Sequence, residues 1–175
     1  MTTTDDRRFP APLASALASP FVYDRGEGID FEPLTAFRSA EETTAWLRAW
    51  TGNRELSGDD FRLFGQHGTG GYAAFWLARP GRPLAEQPVV VLRAGGGTGV
   101  VAVDLADFLW VLAAGFGPFE ATTPRDPDWT PRPSPERTAV AERFAPERRR
   151  PASAVVERAA AEFPDFDDIV FELCG

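Results

Sequence analysis

Residues 61–76 read "FRLFGQHGTGGYAAFW", two aromatic-rich segments joined by a glycine-rich centre that holds the only histidine of the chain. Each segment has the length and composition of an ordinary β-strand. A phosphate-binding glycine loop normally runs from a strand into a helix, whereas a second strand-like segment follows this one. The pattern therefore favours a β-hairpin over a phosphate site.

A second glycine-rich link connects the next two apolar runs, "PVVVL" at residues 88–92 and "GVVAV" at residues 99–103. It does not match the dinucleotide-binding pattern G-x-G-x-x-G, because Val100 occupies the last glycine position. The connections are too short for crossover helices, so neighbouring strands are expected to run antiparallel. We interpret this link as a second hairpin.

The segment before the strands carries the signals of a helix. Ser39 followed by Glu42 forms a capping box, Leu47 and the flanking tryptophans share one helical face, and Gly52 supplies a C-terminal stop. The spacing predicts an amphipathic helix between Ser39 and Gly52.

Helical signals return after the strands. Asp104 is the expected N-cap of an apolar helix that ends at Gly115. Residues 118–135 are rich in proline, threonine and aspartate and are interpreted as a long connection. Two more helices are predicted to open at Ser134 and near Pro151, each with proline at the first helical position.

The order of these elements predicts an α+β fold, with helices packed on a twisted, mostly antiparallel sheet of about four to six strands. Residues 1–28 are expected to be an irregular lead-in and residues 29–117 the core. Residues 118–175 are expected to be an extension packed on the same domain, with two helices and a short terminal strand, "IVFEL" at residues 169–173. Residues 29–37 are expected to include an edge strand.

The amino-acid composition excludes several classes of catalytic and binding site. All 18 basic residues are arginine, which excludes a Schiff-base lysine or a phosphate-loop lysine. The net charge of −8 disfavours binding to nucleic acid or to anionic membranes, and it favours binding to a basic partner. One cysteine and one histidine do not make a zinc site, so we expect no metal and no cofactor. No leader or membrane-length apolar run is visible, so a cytoplasmic protein is expected.

The histidine is the main candidate for chemistry. His67 could act as a general base if it lay in a concave pocket with a carboxylate within hydrogen-bond reach. Thr69, Asp59 and Asp60 are close in sequence, but no known nucleophile motif surrounds them. An exposed polar turn residue is the simpler interpretation, so the chain is expected not to be an enzyme.

Several motifs in order resemble the SUKH superfamily, which includes the Smi/Knr-type cell-wall regulators. The aromatic–glycine turn "FGQHGTGGYAAFW", the strand "PVVVL" and the strand-to-helix segment "VAVDLADFLWVL" carry the resemblance. Leu105, Asp107, Phe108 and Leu109 match the helix of that pattern. His67 stands where similar sequences usually have an acidic residue.

The resemblance implies a compact α+β domain without catalysis or cofactor. Bacterial members are inferred to be immunity proteins that bind toxins, many of them nucleases. We therefore expect a protein that neutralises a cognate toxin or another basic protein; a regulatory scaffold with several partners and an enzyme using His67 are the alternatives. The expected partner-binding residues are Gln66, His67, Thr69, Asp165, Asp167 and Asp168.

Overall fold

The computed structural model describes residues 6–123 and 127–174. Within these residues the chain forms seven α-helices, seven strands and two 3-10 turns (Leu84–Glu86 and Pro146–Arg148). The strands are β1 Tyr23–Asp24, β2 Glu27–Gly28, β3 Glu32–Pro33, β4 Phe61–Gln66, β5 Tyr72–Trp76, β6 Val89–Leu92 and β7 Thr98–Ala102. The helices are α1 Ala11–Leu17, α2 Ala40–Thr51, α3 Leu105–Ala113, α4 Pro118–Thr122, α5 Pro135–Phe144, α6 Ala152–Glu162 and α7 Phe166–Leu173.

The main sheet is an antiparallel meander in the order β3-β4-β5-β6-β7, and β1 and β2 form a separate hairpin. Register across the meander aligns Leu63 with Ala74, Ala74 with Val90 and Val90 with Val100. The glycine links are hairpin turns, and β3 is a short edge strand. The predicted α+β fold with a mostly antiparallel sheet is confirmed.

Helices cover both faces of the sheet. One buried cluster joins Phe64 and Phe75 to residues of α1, α3, α4 and α5, and the other joins Leu63 and Val90 to residues of α2 and α7. Helix α6 packs along β7 and contributes to both clusters. Because β6 is buried on both faces, its sequence is a continuous apolar run and does not alternate.

The predicted helix signals are confirmed. Ser39 and Glu42 form both hydrogen bonds of the capping box of α2, and Gly52 ends the helix in a left-handed conformation with φ of 75°. The Asp104 carboxylate accepts a hydrogen bond from the Asp107 amide at the start of α3. Helices α5 and α6 begin after Ser134 and Pro151; Pro151 is the N-cap residue of α6, one position before the predicted one.

The lead-in is more regular than expected, since residues 1–28 include α1 and the β1–β2 hairpin. Leu13, Ala16 and Leu17 are buried at helical spacing. Arg137 holds the end of α1 in place, because its guanidinium donates hydrogen bonds to the Ala16 and Pro20 carbonyls at 3.1 Å each. The expectation of an irregular lead-in is therefore wrong for its described part.

Two further expectations in residues 118–175 are wrong. The short helix α4 lies at the start of the predicted connection, and helix α7 replaces the predicted terminal strand. Phe166 and Val170 are buried four residues apart while the residues between them are exposed, which is a helical period. Asp167 and Asp168 lie in the first turn, where carboxylates favour the helix dipole.

No helix in residues 6–123 or 127–174 combines the length and the apolar composition that a membrane crossing requires.

Candidate functional site

The turn between β4 and β5 is closed by its own backbone. The His67 amide donates to the Gly71 carbonyl, and the Gly70 amide donates to the His67 carbonyl, both at 2.8 Å. Gly70 has φ of 104°, a conformation that glycine adopts without steric cost. The amides at these two positions are used within the turn, as the hairpin interpretation requires.

The imidazole of His67 is oriented at both nitrogens. The Thr69 amide donates to Nδ1 at 3.2 Å, and Thr69 Oγ1 lies 2.7 Å from the same atom. In the neutral ring Nδ1 is therefore the acceptor and Nε2 carries the proton. Nε2 lies 3.4 Å from Asp30 Oδ2, and the Gly68 amide donates to Asp30 Oδ1 at 3.1 Å. Asp30 thus fastens the turn to the segment before β3.

Helix α4 completes the environment of His67. The Phe119 ring lies 4.7 Å from the imidazole, centroid to centroid. Glu120 Oε1 accepts a hydrogen bond from the Asp30 amide at 2.9 Å. Glu120 Oε2 is buried and has no hydrogen-bond partner among the described residues. Burial, together with the nearby charge of Asp30, raises the pKa of Glu120 above its ordinary value.

These groups line a cavity of about 340 Å³. We call it the His67 cavity, and its principal lining residues are Tyr23, Asp30, His67, Phe119, Glu120 and Trp129. The His67 side chain is only 23% exposed, so the expectation of an exposed turn residue is wrong. The concave surroundings and the nearby carboxylate are the two features that the enzyme alternative required.

The six predicted partner-binding residues fall into two regions. His67 and Thr69 line the His67 cavity, while Gln66 pairs with Glu32 and Tyr72 inside the sheet and does not line it. Asp165, Asp167 and Asp168 are exposed around the start of α7, on the other face of the sheet.

Helix α7 presents an exposed surface that we call the acidic–aromatic face, comprising Asp165, Asp167, Asp168, Ile169, Phe171 and Glu172. Phe171 is 78% exposed, and residues 165–174 contain no arginine or lysine. Thr98 Oγ1 donates a hydrogen bond to Asp167, which ties the helix to the start of β7. A cleft of about 320 Å³ lies beside Phe171, and Trp50 also lines it.

A third group of charges lies between α3 and α6 and was not anticipated from the sequence. Asp107 is fully buried, and its carboxylate accepts hydrogen bonds from Arg148 at 2.8 Å and Arg158 at 3.2 Å. Arg148 also binds Asp104 at 2.7 Å. We call these four residues the buried ion cluster. The one available signal was an aspartate within an otherwise apolar helix, since such a residue requires a partner when buried.

No three or more His, Cys, Asp or Glu side chains are arranged to hold a metal ion in the described ranges, 6–123 and 127–174.

Comparison with known proteins returned no family model, no curated protein and no solved structure that matches this chain, so its similarity to the SUKH superfamily is a prediction that depends on the sequence motifs alone.

Proposed function

We propose that this chain is a non-catalytic binding protein that neutralises a basic protein partner, in the manner of an immunity protein that sequesters a toxin. The single observation that supports the proposal is the acidic–aromatic face of α7. It places an exposed phenyl ring among carboxylates, which is the combination expected of a surface that binds a cationic protein.

Phe171 is the expected anchor of this surface. An aromatic side chain with 78% of its surface in water gains about 25 cal/mol for each Å² of apolar area that a partner covers. Aromatic residues are enriched among the few that dominate binding energy. The adjacent cleft beside Trp50 offers a concave surface into which a partner's side chain can insert.

Charge supports the same proposal at longer range. Asp165, Asp168 and Glu172 are exposed, and no basic residue lies on α7 to neutralise them. The net charge of −8 adds to this local field and accelerates encounter with a positively charged protein. A nuclease toxin is such a protein, because the surface that binds the phosphate backbone of its substrate is positively charged.

The direct test is co-expression with the toxin-like product of a neighbouring gene, followed by gel filtration of the mixture. We expect protection of the host and co-elution, and we expect Phe171→Ala to weaken the complex about tenfold or more. Val22→Ala is the matched control, because Val22 is an apolar residue with 70% exposure outside α7.

Absence of both protection and complex with every neighbouring product would contradict the proposal. Equal losses in the two variants would contradict the role of α7. Stable complexes with several endogenous proteins, without protection, would support a regulatory scaffold instead.

A second candidate function is hydrolysis with Thr69 as the nucleophile. It is suggested by the contacts that join Thr69 to His67 and His67 to Asp30. A hydroxyl at Nδ1 and a carboxylate at Nε2 is the arrangement in which an imidazole activates a nucleophile. The Thr69 amide competes for the same nitrogen, which weakens this role. Hydrolysis of a nitrophenyl ester by the wild type, lost in both His67→Ala and Thr69→Val, would support an enzyme. Equal background rates in all three proteins would exclude this esterase activity.

A further inference from the structure

The His67 cavity brings two carboxylates together, and the imidazole of His67 is the one basic side chain among its described lining residues. Asp30 and Glu120 both line it, and none of its described lining residues is an arginine. The nearest guanidinium that influences Glu120 belongs to Arg93, which donates to the hydroxyl groups of Thr122 and Thr123. Two carboxylates therefore share one cavity with an imidazole as their only basic neighbour in the lining.

Asp30 retains capacity to accept hydrogen bonds. Its carboxylate accepts from the Gly68 amide and is paired with His67 Nε2. A carboxylate offers about four acceptor positions, so about two remain. The Asp30 side chain is 29% exposed, and therefore a donor from solvent can reach it.

Glu120 increases the preference of the cavity for a cation. Its Oε1 accepts from the Asp30 amide, and its Oε2 has no hydrogen-bond partner in the part of the chain that the structure describes. Burial and the neighbouring Asp30 carboxylate both disfavour its ionised form. A positive charge placed beside Asp30 would offset this repulsion, because opposite charges at short range stabilise each other.

The β1–β2 hairpin supplies an aromatic wall that is fixed in place. Tyr23 lines the cavity and is 54% exposed, so part of its ring is accessible to a ligand. The Trp129 indole donates to the Gly28 carbonyl at 2.9 Å, which fastens the hairpin. Arg25 and Gly26 adopt φ of 51° and 82°, the left-handed pair of a type I′ turn.

We propose that the His67 cavity binds a small organic cation, an amidinium, guanidinium or ammonium group on an aromatic or alkyl body. The cation lies at Asp30 and the aromatic or alkyl body packs against the Tyr23 ring, where apolar surface is covered. The volume of about 340 Å³ lies in the range of small-ligand sites. This site is separate from the acidic–aromatic face and does not depend on its function.

The test is calorimetric titration of the full chain with benzamidine and, as a neutral isostere, with benzamide. We expect saturable one-to-one binding of benzamidine and at least about tenfold weaker binding of benzamide, since a charge-assisted hydrogen bond is lost. Asp30→Asn is expected to weaken benzamidine binding about tenfold, and Glu55→Gln, at an exposed position after α2, is the charge-matched control that leaves it unchanged.

Tyr23→Leu provides a second variant that does not disturb buried residues. It should weaken benzamidine binding about two- to fivefold through loss of the aromatic face. A short blocked peptide with a central arginine, titrated in parallel, distinguishes the source of the cation. Tighter binding of the peptide would identify the natural ligand as an arginine side chain of a protein. Tighter binding of benzamidine would identify it as a free small molecule.

Three results would overturn the proposal. They are no binding of either cation at millimolar concentration, equal binding of benzamide and benzamidine, and benzamidine binding that is unchanged in both Asp30→Asn and Tyr23→Leu.

Discussion

The buried ion cluster and the His67 cavity each hold two carboxylates, but they differ in how the charge is balanced. In the cluster, Asp104 and Asp107 are bound by Arg148, and Arg158 adds a second guanidinium to Asp107. In the cavity the imidazole of His67 is the one basic side chain among the described lining residues. The first arrangement is complete within the protein, whereas the second favours a positive charge from outside.

The difference also separates stability from binding. Removing one partner from a buried ion pair leaves an uncompensated charge, so changes in the cluster should lower the free energy of unfolding more than changes in the cavity. The cavity groups His67 and Asp30 are half-buried and only partly paired, so changes there should affect ligands more than folding.

Asp107→Asn should lower the free energy of unfolding by about 2 kcal/mol, because it removes the buried charge to which the partly exposed Arg148 and Arg158 donate. Urea denaturation measures the change, and Asp168→Asn on the exposed start of α7 is the control, with an effect within about 0.5 kcal/mol. A loss of less than about 1 kcal/mol at position 107 would show that the cluster does not hold α3 to α6.

Gly28→Ala should cost about 1–3 kcal/mol and also impair benzamidine binding. Gly28 has φ of 92°, and an added Cβ would lie 2.0 Å from the Val22 carbonyl oxygen, so the β1–β2 hairpin must distort. Gly81→Ala is the control, since Gly81 has φ of 77° and no atom within 4 Å of the added Cβ. The Gly81→Ala variant should lose only the stability that a positive φ costs an alanine, and it should bind benzamidine normally.

Denaturation and titration of the two glycine variants separate these effects. Normal ligand binding by a folded Gly28→Ala protein would show that the hairpin is not a wall of the site.

Glu120→Gln should change how stability depends on pH. The pKa of Glu120 is raised in the folded protein, so the folded state binds this proton more tightly than the unfolded state. The stability contribution is complete below the unfolded pKa, about 4.3, and is lost as pH rises through the higher folded value. Glutamine does not titrate, so the variant should gain stability relative to the wild type between pH 4 and pH 8.

Urea denaturation at both pH values measures this difference. Glu172→Gln, on exposed α7, should show no such trend. A wild type that becomes more stable than Glu120→Gln as pH rises would reverse the sign and reject a buried, destabilised carboxylate.

Local signals explain which elements could be predicted from the sequence. Ser39, Glu42 and Gly52 specify both ends of α2 within a few residues, and the glycine links specify the hairpins by the same short-range chemistry. Helix α7 was missed because "IVFEL" is apolar and short, and the buried pair Phe166 and Val170 that shows the helical period begins before it.

The His67 cavity could not be predicted from local sequence signals, because its contacts join distant parts of the chain. Asp30 lies 38 residues before Gly68, and Glu120 lies 90 residues after Asp30. His67 and Thr69, which lie two residues apart in one turn, were both identified from the sequence. Phe171 was not identified as an anchor. The strand predicted for residues 169–173 gave no indication that this side chain faces solvent.

The most direct test of this division is a thermal-unfolding experiment on the wild type, Asp107→Asn and Asp30→Asn, each with and without millimolar benzamidine. We expect Asp107→Asn to lower the melting temperature markedly yet keep the benzamidine-induced rise, and Asp30→Asn to melt closer to the wild type and lose that rise. A rise that persists in Asp30→Asn, or that disappears only in Asp107→Asn, would contradict this expectation.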